Sequence, residues 1–334
     1  MTNADGPGKI LKLAQGFMES RILLSAAELD LFTVLQKAPL PVMEIASRVK
    51  GDPSALAALL DAVAALGLLQ KKDGAYFCEP AVARYLAEDS PETVLPMVLH
   101  AASLWNRWAR LTDIAQGAPA PTKRLNLART GDELKSFIGA MHSIGAPLAR
   151  QIAADVQPGA AKSLLDIGGG SGTYAIAFLR EAPEMRATIF DMPAVIEMAR
   201  ARLEGEGLMG RATLVPGNFH RDELPVGHDL VLLSAIIHSN SPAQNLELYR
   251  KIFHALVPGG RLLIRDHVME PDRIKPRDGA IFAINMLVGT LGGSTYTYEE
   301  IASSLGEAGF GGIRLLREGE HMDAVVEAFK PTES

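Results

Sequence analysis

Residues 163–179 read SLLDIGGGSGTYAIAFL, an apolar strand followed by three consecutive glycines and then by a helical pattern. From Gly168 to Thr173 the loop has the pattern G-x-G-x-G, whereas dinucleotide-binding folds have G-x-G-x-x-G. A glycine-rich loop between a strand end and a helix start lets a ligand lie close to the backbone. The stretch therefore predicts an α/β fold with a ligand site over this loop.

Two acidic residues flank the loop and bear on the kind of ligand. Asp166 precedes the glycines, where a carboxylate would repel a pyrophosphate but attract the ammonium and sulfonium groups of S-adenosylmethionine (SAM). Asp191 closes the next strand, where an acid can accept hydrogen bonds from the ribose hydroxyls of either SAM or NAD. A simple cap of the helix near Pro193 is the alternative role for Asp191. The charge of Asp166 therefore favours SAM over NAD as the ligand.

Strands alternate with helical stretches after Gly159, and this order predicts a parallel sheet with helices on both faces. Residues 312–330 predict two tightly joined strands that add one antiparallel hairpin. Asn218 and Phe219 follow a further strand, where an amide and an aromatic ring suit adenine, although core packing explains Phe219 nearly as well. The predicted strands cover residues 163–167, 187–190, 212–215, 229–234 and 261–265.

The N-terminal region predicts three helices and a hairpin, the order of a winged helix. One helix is predicted over residues 21–35 and a short one over 43–49. The third is bounded by Asp52 as N-cap with Pro53 in the first position, and by Gly67 after its end. Asp73-Gly74 then predicts the turn of the hairpin.

The third helix argues against DNA binding. Between Pro53 and Leu66 it has no Lys, Arg, Asn or Gln, and Asp61 is its one charged residue. Such a helix offers no side chain for bidentate base contacts or for phosphate contacts. Its alanines and leucines occupy nearly every face, which predicts burial on several sides and a role in dimerisation.

Composition limits the remaining classes of partner. The chain has 334 residues and a net charge of -6, so we expect no association with nucleic acid or with an anionic membrane surface. Its one cysteine, Cys78, excludes an internal disulfide and a cysteine-based zinc cluster, and no other metal-ligand spacing is present. No apolar run is long enough for a membrane helix. We expect a cytoplasmic protein without a metal.

Five motifs together make the chain resemble a known family. In order they are LLDIGGGSG, IFDMPAVIEMA, GNFH, LLSAIIHSN and LVPGGRLLIRD, behind the winged-helix-type region. From about residue 15 onward the chain resembles the small-molecule O-methyltransferases of the plant phenolic and hydroxyindole type and their bacterial relatives. The resemblance implies a Rossmann-like seven-stranded SAM-binding domain, an N-terminal helical dimerisation domain, a homodimer that acts on a small molecule, and methyl transfer without a metal.

The resemblance also assigns domains and a cofactor site. It divides the chain into a winged-helix-like dimerisation domain over residues 1–100, a helical connecting region over 101–157, and a SAM-binding domain over 158–334. S-adenosylhomocysteine (SAH) is the expected product. The implied cofactor contacts are Asp166, Gly168, Gly170, Gly172, Asp191, Met192, Asn218, Phe219 and Ser234.

A histidine and an acid follow two buried strands of the predicted sheet. His238 lies just beyond one strand and Asp266 ends the next, so both side chains can face one crevice at the carboxyl edge. The family pattern makes the histidine a general base that deprotonates the acceptor hydroxyl, and the acid its orienting partner. The spacing of 266 − 238 = 28 residues fits that pattern.

The chain departs from the family at several positions, one of them being His238-Ser239-Asn240 where many members have His-Asp-Trp. Ser234 stands where a lysine is usual, and Asn218 where an acid is usual. Thr295 aligns with the family's second carboxylate beside the histidine, and a threonine can hydrogen-bond an imidazole but cannot neutralise its cation. These departures leave open C-methylation or other SAM chemistry in the same fold. An NAD-dependent oxidoreductase and a winged-helix ligand sensor are the more distant alternatives.

Acceptor contacts are implied at three positions. Met141 and Met286 match positions at which the family places sulfur-bearing side chains against a flat ring, although core packing is an equal explanation. His142, next to Met141, is predicted to line the same pocket.

Overall fold

The computed structural model describes residues 6–119 and 131–332. The chain divides into two compact units, Met1–Asn106 and Arg107–Ser334.

The first unit is helical with a small antiparallel sheet. Its three strands are arranged in the order β1-β3-β2. The helices are α1 (Pro7–Glu28), α2 (Leu31–Leu35), α3 (Val42–Val49), α4 (Pro53–Ala65), α5 (Pro80–Leu86) and α6 (Leu95–Trp108), and the strands are β1 (Leu40–Pro41), β2 (Gln70–Lys72) and β3 (Ala75–Phe77).

Local signals in the first unit behave as the sequence predicts. The Asp52 side chain accepts a 2.8 Å hydrogen bond from the Ala55 backbone N–H and so caps α4. Gly67 follows the helix end with a φ of +76°. The hairpin turn between β2 and β3 has positive φ at both Asp73 and Gly74, as a type I′ turn requires. These three predictions are confirmed.

One prediction for this unit is wrong. Residues 21–35 do not form one helix, because α1 ends at Glu28 and α2 starts after Asp30, whose φ of +53° turns the chain. The turn lets both helices bury side chains in one core cluster, including Ala26 from α1 and Phe32 from α2. Helix α4 is buried on one side within the protomer, so the burial of its other faces against a second subunit stays a prediction. One stripe of it is buried, made of Leu56, Leu60 and Val63.

The second unit is a Rossmann-like sheet flanked by helices, as predicted. The seven strands stand in the order β11-β12-β8-β7-β4-β5-β6, and β12 runs antiparallel to both β8 and β11. The strands are β4 (Ser163–Ile167), β5 (Arg186–Asp191), β6 (Ala212–Pro216), β7 (His228–Ser234), β8 (Leu256–Asp266), β11 (Gly311–Arg317) and β12 (Ala324–Phe329), with a separate parallel pair, β9 (Val268–Met269) and β10 (Tyr296–Thr297).

Helices cover both faces of this sheet. Buried side chains on one face pack with α8, α9 and α10, and those on the other face pack with α11 and α13. The helices of the unit are α7 (Leu111–Ala115), α8 (Gly131–Val156), α9 (Thr173–Glu181), α10 (Pro193–Gly205), α11 (Pro242–Ala255), α12 (Arg277–Gly289) and α13 (Tyr298–Glu307). Within the described ranges, no helix combines the length and apolar character needed to cross a membrane.

The strand order places a crevice at the centre of the sheet. β5 and β6 extend from β4 in one direction, and β7 and β8 extend in the other. Because the strand order reverses between β4 and β7, the loops after these strands separate at their carboxyl ends, where open α/β sheets bind ligands. β8 begins earlier than residue 261, at Leu256, and an irregular register between His228 and Leu230 accommodates the extra residues.

Candidate active site at the carboxyl edge of the sheet

The glycine loop joins β4 to α9 in a conformation that needs glycine. Gly168, Gly170 and Gly172 all have positive φ. At Gly168 a Cβ atom would lie 2.6 Å from Cδ1 of Ile236, so both the backbone conformation and the close approach require glycine there. The Phe219 ring lies on the same side, 3.8 Å from that Cβ position. The loop is therefore brought together with the residues after β6 and β7.

Asp166 lies buried beneath this loop without a partner for one of its oxygens. It is 1% exposed, and a Cβ atom on Gly169 would lie 2.8 Å from its carboxylate. Its Oδ2 has no hydrogen bond within the described part of the chain. Burial raises the pKa of Asp166 to about 7, against the opposing hydrogen bond from the Ala175 backbone. A buried, unpaired carboxylate suits the cationic groups of SAM and does not suit a pyrophosphate, so the residues present fit SAM.

Asp191 links the end of β5 to the glycine loop by a hydrogen bond. Its Oδ2 accepts a 2.8 Å hydrogen bond from the Gly170 backbone N–H, and its Oδ1 accepts one from Met192 at 2.6 Å. Burial raises the pKa of Asp191, and these two backbone hydrogen bonds oppose the rise. Each carboxylate oxygen can accept a further bond, so this contact leaves room for a ribose hydroxyl. Met192 occupies the N-cap position of α10 without a side-chain capping bond and is 37% exposed.

Asn218 and Phe219 lie in a tight turn after β6. The Asn218 side chain accepts a 3.0 Å hydrogen bond from the His220 backbone N–H. Phe219 is half-buried against the core, and its backbone carbonyl accepts a 3.2 Å hydrogen bond from Lys251 Nζ. The turn is therefore fixed from within, with the Phe219 ring beside the glycine loop.

His238 and Asp266 form a buried pair. His238 Nδ1 lies 2.9 Å from both carboxylate oxygens of Asp266, and the residues are 7% and 1% exposed. Burial alone would raise the pKa of Asp266, but the charge and hydrogen bond of His238, with a smaller effect of Arg265, hold it below its usual value. The His267 backbone N–H donates a further 2.8 Å bond to Oδ1. An ionised Asp266 fixes the orientation of the imidazole through Nδ1, so that Nε2 is the ring nitrogen not bonded to Asp266.

A short 3-10 turn, Ile237–Ser239, presents the histidine. Before it, Ala235 has a φ of +57°, an uncommon conformation for a residue with a side chain, and its N–H donates to the Arg265 carbonyl at 2.8 Å. This left-handed residue turns the chain away from the direction of β7 and sends His238 towards Asp266.

The polar groups that hold this turn were not predicted from the sequence. Asn245 Nδ2 donates a 3.0 Å hydrogen bond to the Ile237 carbonyl, and Asn245 Oδ1 accepts one of 3.0 Å from Asn240. The Tyr296 hydroxyl donates to the Asn240 carbonyl. Asn240 is fully buried and Asn245 is 4% exposed. Two asparagines five residues apart, shortly after the candidate catalytic histidine, are the sequence signal that could have identified Asn240 and Asn245.

Thr295 is not joined to His238 by a hydrogen bond anywhere in the described chain, a difference from the role the alignment predicts. It is 2% exposed, and its carbonyl accepts a 3.1 Å hydrogen bond from Arg273.

The Phe282 ring lies edge-on to the His238 ring at 4.9 Å between centroids. The position of Phe282 could not be predicted, because an aromatic residue within an apolar helix has the pattern of ordinary core.

Ser234 ends β7 and faces a neighbouring cation. Its Oγ accepts a 2.8 Å hydrogen bond from Arg265 Nε, and the Arg265 guanidinium lies 5.1 Å above the Tyr174 ring. A positive charge therefore lies beside the position where the family has a lysine, but the neighbouring strand supplies it.

The three predicted acceptor contacts lie in different surroundings. Met141 is 43% exposed and Met286 is 4% exposed. His142 Nδ1 lies 2.9 Å from Thr173 Oγ1 at the start of α9. Asn285, next to Met286, accepts a 3.1 Å hydrogen bond from Trp108 Nε1. Among the described residues, no three His, Cys, Asp or Glu side chains are grouped closely enough to hold a metal ion.

Comparisons with known proteins agree with one another. A family model described as an O-methyltransferase domain matches residues 126–311, and one described as an O-methyltransferase dimerisation domain matches residues 11–89. The 3-hydroxy-5-methyl-1-naphthoate 3-O-methyltransferase of Streptomyces sahachiroi is 33% identical over 316 residues, which are 93% of this chain and 91% of that protein.

Solved structures give the same result. Mitomycin 7-O-methyltransferase MmcR has a TM-score of 0.80 at 26% identity, with 97% of both chains covered. The S-adenosylmethionine-dependent methyltransferase SibL in its apo form has a TM-score of 0.63 at 26% identity, with 97% of this chain and 99% of that chain covered.

Proposed function

Because the chain belongs to the SAM-dependent O-methyltransferase family, we propose that it methylates a hydroxyl group of a small aromatic molecule, with His238 as the general base. The observation that carries the proposal is the buried His238–Asp266 pair, with Nδ1 2.9 Å from the carboxylate, at the same sheet edge as the glycine loop. With residues 126–311 matching a methyltransferase model, neither an NAD-dependent oxidoreductase nor a ligand-sensing regulator is proposed.

The residues around the glycine loop are proposed to hold SAM. Asp166, with its unpaired Oδ2, would face a cationic group, and the open lone pairs of Asp191 would accept from the ribose. The remaining proposed contacts are Gly168, Gly170, Gly172, Met192, Asn218, Phe219 and Ser234. Bound SAM supplies a sulfonium-activated methyl group, and SAH is the product.

His238 and Asp266 are proposed to move the acceptor's proton. With Asp266 ionised and bonded to Nδ1, the neutral ring carries its proton on Nδ1 and offers the lone pair of Nε2 to the acceptor hydroxyl. When Nε2 takes the proton, the carboxylate stabilises the imidazolium and the deprotonated oxygen becomes the nucleophile. Thr295, whose hydroxyl makes no hydrogen bond to His238 in the described chain, stays a proposed site residue at the position of the family's second carboxylate.

The aromatic class of acceptor rests on apolar neighbours of the base. Phe282 contacts the His238 ring, and Met286 lies on the same helix. Aromatic and sulfur-bearing side chains favour a flat ring as their partner. The naphthoate named for the Streptomyces sahachiroi relative is such a ring and carries a hydroxyl. Met141 is the further proposed acceptor contact.

Two copies of the chain are proposed to associate through the first unit. Residues 11–89 match a dimerisation domain. Helix α1 leaves large apolar side chains uncovered within the protomer, namely Ile10, Leu11, Leu13, Phe17 and Met18, each at least half exposed. Such a patch favours burial against a second protein surface.

The proposal is tested first by binding and then by rate. Calorimetric titration is expected to give micromolar affinity for SAH and no binding of NAD. In a subsequent screen of phenols, His238→Ala is expected to lower kcat by about 10²- to 10⁴-fold, the usual contribution of a general base. Asp266→Asn should lower kcat in the same direction.

A matched control is available on the protein surface. His321 is exposed and its Nδ1 lies 2.8 Å from Asp278, so His321→Ala removes a histidine from a His–Asp pair outside the crevice. It should keep the wild-type rate. Full activity in His238→Ala would overturn the general-base role, and binding of NAD in place of SAH would overturn the cofactor assignment.

A further inference from the structure

A histidine on α8 makes a direct contact with the start of the helix that follows the glycine loop. His142 Nδ1 lies 2.9 Å from Oγ1 of Thr173, which is the first residue of α9 and directly follows Gly172. His142 is half-buried. Burial lowers the pKa of His142, so the ring is neutral at pH 7 and able to share one hydrogen bond with a hydroxyl group.

The packing of α8 against α9 sets the position of His142. Ala149 and Ile152 on this helix are fully buried in the core cluster that includes α9. Gly145 lies one turn closer to His142, and a Cβ atom there would be 4.0 Å from Cγ2 of Thr173. Because positions 142, 145, 149 and 152 share one face of a helix, the packing of α8 fixes the place of the His142 ring.

The contact also reaches into the loop. Ser171 is 4% exposed, and its Oγ lies 3.4 Å from Thr173 Oγ1. Gly170, the preceding residue, is held from the other side by the Asp191 carboxylate at 2.8 Å. Hydrogen bonds therefore hold the loop at two points. Asp191 of β5 bonds to Gly170, and His142 of α8 bonds to Thr173 at the end of the loop.

We propose that His142 is a positioning residue that holds the glycine loop in the conformation that binds SAM, and that it does not contact the methyl acceptor. The inference rests on the proposed function, since it takes the loop as the SAM site. A loop that is ordered before binding loses less conformational entropy when the ligand arrives, so fastening it strengthens binding without touching the ligand.

The test measures SAH affinity by calorimetry in His142→Ala, Thr173→Val and the double variant. A side-chain hydrogen bond of ordinary strength corresponds to a change of about 2- to 10-fold in Kd. We expect each single variant to bind SAH more weakly within that range. The double variant should bind no more weakly than the weaker single one, because both substitutions remove the same contact. Thr173→Ser, which keeps the hydroxyl, should restore wild-type affinity.

A matched control and a second readout separate positioning from general destabilisation. Gln151 is exposed on the same helix, and Gln151→Ala should leave SAH affinity unchanged. Hydrogen exchange of the free protein should be faster at residues 168–173 in His142→Ala and unchanged in β12. Thr173→Val preserves shape, so it tests the same contact if His142→Ala folds poorly.

Two results would overturn the inference. One is SAH affinity and loop exchange in His142→Ala equal to those of the wild type. The other is a raised KM for the acceptor with unchanged SAH affinity, which would make His142 an acceptor contact. If the wild-type protein does not bind SAH, the proposed function fails, whereas the exchange comparison still decides whether His142 orders the loop.

Discussion

Asp166 is the residue whose ionisation we expect to control cofactor affinity. Burial raises its pKa to about 7, so near neutral pH part of the protein carries a protonated Asp166. An ammonium or sulfonium group interacts favourably with the ionised form. Below pH 7 a proton must leave before the ligand binds, and SAH affinity should fall by about tenfold between pH 8 and pH 6. Calorimetry across this range measures the effect.

The matched variant for that prediction is Asp166→Asn. It keeps the shape of the side chain beneath Gly169 and removes the titration. SAH binding should be weaker than in the wild type at pH 8 and nearly independent of pH. A pH dependence as steep in the variant as in the wild type would assign the titration to another group.

Single residues differ in how well the sequence predicts their surroundings. The closeness of His238 to Asp266 was predictable, because His238 follows β7, Asp266 ends β8, and the carboxyl ends of neighbouring parallel strands meet at one sheet edge. The surroundings of His142 and Thr295 were not. Their contacts depend on how α8 and the segment before β10 pack on the sheet, and neither follows from a position at a strand end.

At the scale of elements, the 3-10 turn that carries His238 depends on buried amides. Asn245→Leu would leave the Ile237 carbonyl and the Asn240 side chain without their partners. Each buried polar group that loses its hydrogen bond costs about 1–3 kcal/mol. We expect the free energy of unfolding to fall by about 2–6 kcal/mol and kcat to fall more than SAH affinity, because the turn positions the base.

Denaturant unfolding and steady-state kinetics measure these effects. The control is Glu247→Leu, which lies on the exposed side of α11, the helix that carries Asn245. Its free energy of unfolding should stay within about 0.5 kcal/mol of the wild-type value. A loss of SAH affinity as large as the loss of kcat in Asn245→Leu would contradict a role confined to the turn.

Elements were predicted best where local chemistry sets their ends. The cap at Asp52 and the turn at Asp73-Gly74 each depend on residues adjacent in sequence. The break at Asp30 was missed, because residues 21–35 keep a helical apolar spacing through it. Only burial of both helices in one core cluster favours the bend.

At the scale of the whole molecule, the uncovered apolar face of α1 predicts how copies associate. Phe17 is 54% exposed, and Phe17→Glu would place a charge within the proposed interface. We expect the wild-type protein to sediment as a dimer and this variant to sediment as a monomer at the same concentration. Val226 is 73% exposed in the other unit, and Val226→Glu should remain dimeric. Dissociation in both variants, or in neither, would contradict an interface at α1.

The sequence by itself determined the alternating strands and helices, the glycine loop, the winged-helix order and the family. These features depend on periodicity and on residue types at fixed spacing, which short-range physics dictates. The tertiary structure alone decided that Asp191 fastens Gly170, that two asparagines support the turn before Ser241, and that His142 meets Thr173. Each of these contacts joins segments that are distant in sequence or differently oriented, so its existence depends on packing that no local pattern encodes.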